Sequence, residues 1–175
     1  MFPEHKTPKA QSSLAVIFHG ADQSLELRQI ALPETLLLGE ALVRVTCCTL
    51  CGSDLSTLAG HRQEPTPCIL GHEIVGRITR LGNVTATSCD VRLRPMVDLR
   101  GQVVQVGDRV VWSVAANCDQ CRPCLRGVPQ KCTHLMKYGH QRVDFPWQLS
   151  GGLSEYCHLV RGTKVVVVGD HVPDE

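Results

Sequence analysis

The chain has 175 residues, 43% apolar and 20% charged, enough for one core with a small appendage and unlike a disordered tract. Lys plus Arg total 18 and Asp plus Glu 17, so no charge excess exists to hold nucleic acid or a membrane surface. The opening residues MFPEHKTPKAQSS lack the apolar stretch of a signal peptide, and no apolar run approaches the roughly 20 residues that span a bilayer; a cytoplasmic protein is expected.

Taken in chain order, short apolar runs come first, LAVIFHG over 14–20 and LELRQIAL over 25–32. Residues 40–50 alternate Val43, Val45 and Cys47 against Arg44 and Thr46, the period-two pattern of a strand with one wetter face. Residues 53–60, SDLSTLAG, read as the one short helix, with Ser53 or Asp54 able to cap it. Further strands are predicted over 73–82, 107–114, 152–160 and 163–169. Between Leu81 and Gly107 a long, weakly patterned segment reads as a surface excursion. Many short strands with Gly/Pro turns predict a mainly β fold, a barrel or a sandwich. The final stretch, KVVVVGDHVPDE, imitates the first strand of a dinucleotide-binding fold. However, Gly169 is followed by Asp170, His171, Val172 and Pro173, without the further glycines a pyrophosphate turn requires, so no nucleotide site is expected there.

Ten cysteines in a reducing compartment point to metal ligands or catalytic thiols rather than structural disulfides. Cys47, Cys48, Cys68, Cys89 and Cys157 are scattered and read as small buried hydrophobes. Cys118, Cys121, Cys124 and Cys132 are different, because thiolates two residues apart on a tight loop converge on one ion. Four thiolates make a closed tetrahedral zinc site with no room for substrate, hence a structural lobe at about residues 113–140. An iron–sulfur run of the bacterial ferredoxin type would place its fourth cysteine three residues on, before a proline. A thioredoxin-like pair would need its Cys-x-x-Cys at a helix start beside a βαβ pattern, and neither is read here.

A second constellation joins CGSD (Cys51 to Asp54) with GHE (Gly71 to Glu73). Taken singly, Cys51 is a buried thiol and His72 a core histidine. Together, one thiolate and one imidazole are zinc chemistry with an open position for water or substrate. Asp54 is the candidate carboxylate to fix the His72 tautomer, and Ser53 could hold or relay the proton of an acidified alcohol.

CGSD, GHE, GDRVV, the four-cysteine run and GGLSEY occur in the order and approximate spacing of the zinc-dependent medium-chain alcohol and polyol dehydrogenases, which the chain resembles over nearly its whole length. The resemblance implies a GroES-like β-barrel catalytic domain with short helices and a structural zinc lobe. By position, Cys51 and His72 match the catalytic zinc ligands, Glu73 the nearby carboxylate that can approach the metal, Ser53 the alcohol-contacting hydroxyl and Asp54 the partner of His72. VVWSV, GVPQKC and KYGH are most similar to a subgroup associated with phosphonate catabolism.

Two departures stand out. A relay histidine common in the family is replaced by Ser56, with His61 a possible substitute. Family members also run to about twice this length, because a nucleotide-binding domain follows. The expectation is therefore a truncated catalytic domain over 1–175, with the third catalytic-zinc ligand and the NAD or NADP site beyond it. The implied parent is a homo-oligomeric enzyme exchanging hydride between an alcohol, aldehyde or ketone and nicotinamide, and the fragment alone should be inactive. Rival readings are a stand-alone zinc-binding β module for partner contact and a thiol redox sensor.

Overall fold

The computed structural model describes residues 12–83, 94–144 and 146–172. Strands β1 (Ser12–Ile17) and β2 (Glu26–Ala31) form an antiparallel hairpin. The main sheet contains β3 (Ala41–Thr49), β4 (Glu73–Leu81), β5 (Arg109–Ala116), β6 (Met136–Lys137), β7 (Tyr156–Leu159) and β8 (Thr163–Val167). Its order is β6-β5-β4-β3-β7, with β8 also on β5, and every pairing of these strands is antiparallel. Strand β5 pairs β4 and β8 through Val110 and Val111, then passes β6 at Ala115 and Ala116. This sharing curls the sheet into a half-barrel, the mainly β, GroES-like fold expected from the sequence.

Alternation accounts for the core. Val43, Ile78, Val110, Leu159 and Val165 point inward and are fully buried. Tyr138 fills the centre, with Trp147 edge-on at a centroid distance of 4.8 Å. Its hydroxyl lies 2.6 Å from Thr163 Oγ1 and accepts from the Val160 N–H at 3.1 Å, so the polar end of a deeply buried ring is paired. The β1–β2 hairpin lies on a second apolar cluster of Ala15, Ile17, Ile30, Leu42 and Ile69, tied on by the Ala15–Ser154 bridge and the Val16 N–H to Leu153 carbonyl bond.

Three expectations need correction. The segment between Leu81 and Gly107 is not wholly a surface excursion: Met96 and Val104 enter the main core on either side of a turn closed by Asp98, whose carboxylate accepts from the N–H groups of Arg100 and Gln102. Residues 84–93 of that segment lie outside the described residues. The helix α1 (Gly52–Leu58) is capped by Cys51 rather than by Ser53 or Asp54: its Sγ accepts from the Ser53 N–H, and Asp54 reaches back to the Cys51 N–H as a capping box. A second short helix, α2 (Arg122–Leu125), starts inside the four-cysteine run with Cys121 as its N-cap, so a Cys-x-x-Cys does sit at a helix start. No βαβ unit surrounds it among the described residues. Strand β8, the nucleotide-fold imitator, runs antiparallel on β5 as a barrel strand. Among the described residues, no helix is long and apolar enough to cross a membrane.

Candidate metal centres

The four-cysteine lobe leaves the sheet after Ala116 and returns at Met136. All four Sγ atoms lie within 4.8 Å of one another, with Cys121–Cys124 at 3.4 Å and Cys118–Cys132 at 3.5 Å. Thiolates at about 2.3 Å from a tetrahedral ion stand roughly 3.8 Å apart, so the set fits zinc with a small expansion. The backbone prepares it: the N–H groups of Cys118 and His134 both point at Cys132 Sγ at 3.3 Å. Backbone N–H groups near Cys124 and Thr133 pull the Cys121 thiol down to about 6, and the Cys118 N–H draws Cys132 down as well. Desolvation and the adjacent Cys121 and Cys132 thiols push Cys124 up to about 11. Four crowded thiols cannot all ionise without a cation among them, which is the donor chemistry of a closed metal site.

The second centre is assembled from two places in the sequence. Cys51 and Ser53 come from the start of α1, and His72 from the turn that enters β4. Cys51 Sγ is 2.7 Å from Ser53 Oγ and 3.3 Å from His72 Nε2, and Ser53 Oγ is 3.4 Å from the same nitrogen. Behind them Asp54, only 1% exposed, accepts from the N–H groups of Cys51 and Gly71. Its Oδ1 is 3.5 Å from His72 Nδ1, an ion-pair distance too long for a good hydrogen bond, and that nitrogen is buried without one. Gly71 is required by the turn: its φ is +87°, and a Cβ there would stand 2.6 Å from Cys48 Sγ. Cys51, Asp54 and His72 present ligand atoms within 4.8 Å, so the residues fit a thiolate–imidazole metal site of fewer than four protein donors.

Cys51, Ser53, Asp54 and His72 therefore come together as their residue types suggest. Glu73 does not join them. It starts β4, accepts from Thr49 Oγ1 at 2.7 Å and lines a recess that Ser53 and His72 also line. That recess, about 750 Å³, is lined by the polar Ser53, His72 and Glu73 and by the apolar Ile74, Val111 and Trp112, among others. Cys68 and Cys157 are buried small residues, whereas Cys47 and Cys48 are half-buried and Cys47 lines the recess; Cys89 lies outside the described residues. Burial pushes Cys48 up to about 11, the opposite of what a redox-sensing thiol needs.

Sequence reasoning missed two residues at this centre, Glu64 and His140. The His140 ring lies 4.9 Å from the His72 ring, and its Nδ1 is 3.1 Å from Glu64 Oε1. Burial holds His140 below the usual histidine range, opposed by the Glu64 charge. The available signal was the Gly-His pair in KYGH, which repeats that of GHE.

A GroES-like half-barrel with a four-cysteine lobe and a thiolate–imidazole centre defines the catalytic-domain class of zinc-type dehydrogenases, and comparison with known proteins agrees. The family described as alcohol dehydrogenase GroES-like domain matches residues 38–170, and the chain belongs to it. A probable alcohol dehydrogenase of Mycobacterium tuberculosis is 34% identical over 160 residues, covering 88% of this chain and 39% of that protein. Zinc-type alcohol dehydrogenase B of Aspergillus flavus is 26% identical over 161 residues, covering 90% and 32%. Among solved structures, an alcohol dehydrogenase from Thermotoga maritima superposes with a TM-score of 0.77 at 25% identity, covering 93% of this chain and 42% of that one. An alcohol dehydrogenase from Escherichia coli, complexed with NADH, gives 0.66 at 26% identity, covering 94% and 41%. The chain thus spans about two fifths or less of the length of these relatives.

Proposed function

We propose that the chain is the catalytic domain of a zinc-dependent, NAD- or NADP-dependent alcohol dehydrogenase, acting on a small alcohol or the matching aldehyde or ketone. The observation that carries this is the meeting of Cys51 Sγ, His72 Nε2 and Ser53 Oγ within 3.4 Å, with Ser53 and His72 lining an open recess. Cys51 and His72 would hold the ion, and Cys118, Cys121, Cys124 and Cys132 a second, structural one. Zinc in the first position supplies a Lewis acid that makes an alcohol proton easier to remove. The Ser53 hydroxyl takes that proton and passes it to solvent in the recess, Ser56 offering no imidazole to carry it further. Asp54 holds the Cys51 and Gly71 backbone in place and faces the far nitrogen of His72. The apolar wall of Ile74, Val111 and Trp112 covers the carbon skeleton, and Glu73 at the rim can approach the ion from outside the ligand set. The remaining ligand and the hydride-accepting nicotinamide belong to a further domain, a reading supported by the greater length of the relatives and by the NADH of the Escherichia coli enzyme.

The test uses the 175-residue chain with zinc first supplied to the four-cysteine lobe, then titrated with cobalt(II). A cobalt–thiolate absorption band that vanishes in Cys51→Ser and persists in the parent is expected. Absence of uptake, or a band indifferent to Cys51→Ser, overturns the metal assignment. Oxidation of any alcohol by this chain alone with NAD or NADP would overturn the division of labour between domains.

A further inference from the structure

Two Gly-His pairs, Gly71-His72 and Gly139-His140, are packed against each other. Both glycines have positive φ, +87° and +77°. A Cβ on Gly139 would stand 3.0 Å from the Gly71 carbonyl oxygen and 3.2 Å from His72 Cβ, so the two backbones touch where side chains would keep them apart. That approach lays the imidazoles together, centroids 4.9 Å apart and planes inclined by 37°. The His140 side is firmly built. Its backbone follows the buried Tyr138, and the Gly139 N–H donates to the Ser150 carbonyl at 2.7 Å. Glu64 approaches His140 Nδ1 at 3.1 Å, with both side chains more than nine-tenths buried, and Arg62 Nε holds the same carboxylate oxygen at 2.6 Å. The approach is close without being aligned as a hydrogen bond. The Nδ1 edge of His72 is held at longer range, since it meets Asp54 at 3.5 Å against 3.1 Å for His140 and Glu64. The Nε2 edge meets Cys51 Sγ at 3.3 Å and Ser53 Oγ at 3.4 Å, so all three edge contacts are long, and a ligand that must keep one lone pair aimed gains from a restraint on the face of its ring.

We propose that His140, anchored by Glu64, is a positioning residue: the face of its ring sets the rotation of the His72 imidazole, so that Nε2 stays directed at Cys51 Sγ. The proposal rests on His72 being a metal ligand for its functional meaning, but ring rotation is measurable with no ion at that position. Among the described residues, Glu64 and His140 make no hydrogen bond or ion pair with Cys51 or Ser53, so they act through His72.

The experiment is relaxation of the His72 ring carbons by NMR in the whole chain, labelled at histidine, for the parent, His140→Ala and Glu64→Leu. The parent ring should be as rigid as ordered backbone, with an order parameter of about 0.85, and both variants should fall below about 0.6. Amide spectra report whether the fold survives. Where His140→Ala disturbs them, Glu64→Leu decides, because it keeps the side-chain bulk and removes only the anchor. A His72 ring that stays rigid in either variant overturns the proposal. Cobalt titration separates the two readings: affinity at Cys51 and His72 should fall about 10- to 100-fold in the variants while the four-cysteine lobe is unchanged. A parent that takes up no cobalt there would sink the metal assignment and leave the ring measurement standing.

Discussion

The two candidate metal centres are built in opposite ways. The four-cysteine lobe draws every donor from one run, Cys118 to Cys132, and its backbone N–H groups point at the sulfurs that need charge. The Cys51–His72 centre draws its donors from a helix start and a strand entry and rests on a buried carboxylate. It adds a ring from a third segment, near the end of the lobe excursion. A local site is a property of a loop, and metal energy holds the loop together. A distributed site is a property of the core, and the core aims its ligands. The closed lobe can then do nothing but bind, while the distributed centre keeps an open side toward the recess.

Replacing Cys118 and Cys132 together by serine should give the largest effect. A structural zinc site contributes on the order of 10 kcal/mol to folding its own segment. The lobe should lose its ion, and limited proteolysis should cut between residues 118 and 132. Histidine ring signals of His72 and His140 should persist; their collapse would show that the lobe supports the second centre and break the comparison. Next comes Tyr138→Ala, expected to cost about 3–5 kcal/mol by emptying the core. Unlike the lobe change, it should disorder both His140 and His72, because Tyr138 immediately precedes the Gly139-His140 pair. Thermal unfolding with zinc content per chain separates the two variants.

Asp54→Asn should be milder, about 1.5–3 kcal/mol for hydrogen bonds to a buried charge, with about 10- to 100-fold weaker cobalt binding at Cys51 and His72. Equal loss at the four-cysteine lobe in the same titration would contradict the independence of the centres. The smallest effect belongs to the hairpin, which contributes no donor to either cluster. Hydrogen bonds from Arg28 and His19 hold Glu26 down to about 2 on an exposed surface. A depressed carboxyl contributes stability above its unfolded value near 4.3 and loses it as pH falls toward 2. Glu26→Gln should slightly flatten the acid unfolding curve in that interval and leave metal release unchanged, since Glu26 contributes no atom to either candidate donor cluster.

The residues that proved legible in the sequence share one feature: their partners are close along the chain, or their pattern is chemical rather than spatial. The spacing Cys-x2-Cys-x2-Cys-x7-Cys brings four sulfurs within reach of one ion, and alternation at Val43, Val45, Ile74 and Ile78 marks the sheet. Cys51 with His72 was legible because thiolate, imidazole and carboxylate types coincide in two short motifs that also carry a family resemblance. The role of Cys51 as helix cap was not, since a thiol is a weak acceptor and Ser53 and Asp54 are the stronger candidates by type. Met96 and Val104 were hidden by an irregular stretch whose inward residues follow neither period.

By itself, then, the sequence determined the β architecture and the two clusters of candidate donors, because backbone periodicity and short-range spacing are local properties. Only the tertiary structure decided that Glu73 accepts from Thr49 and shares the recess with Ser53 and His72, and that Met96 belongs to the core. It alone set Glu64 and His140 behind His72. These depend on contacts between segments far apart in the chain, and only the packed sheet, with glycines at 71 and 139 letting two backbones touch, brings them into one place.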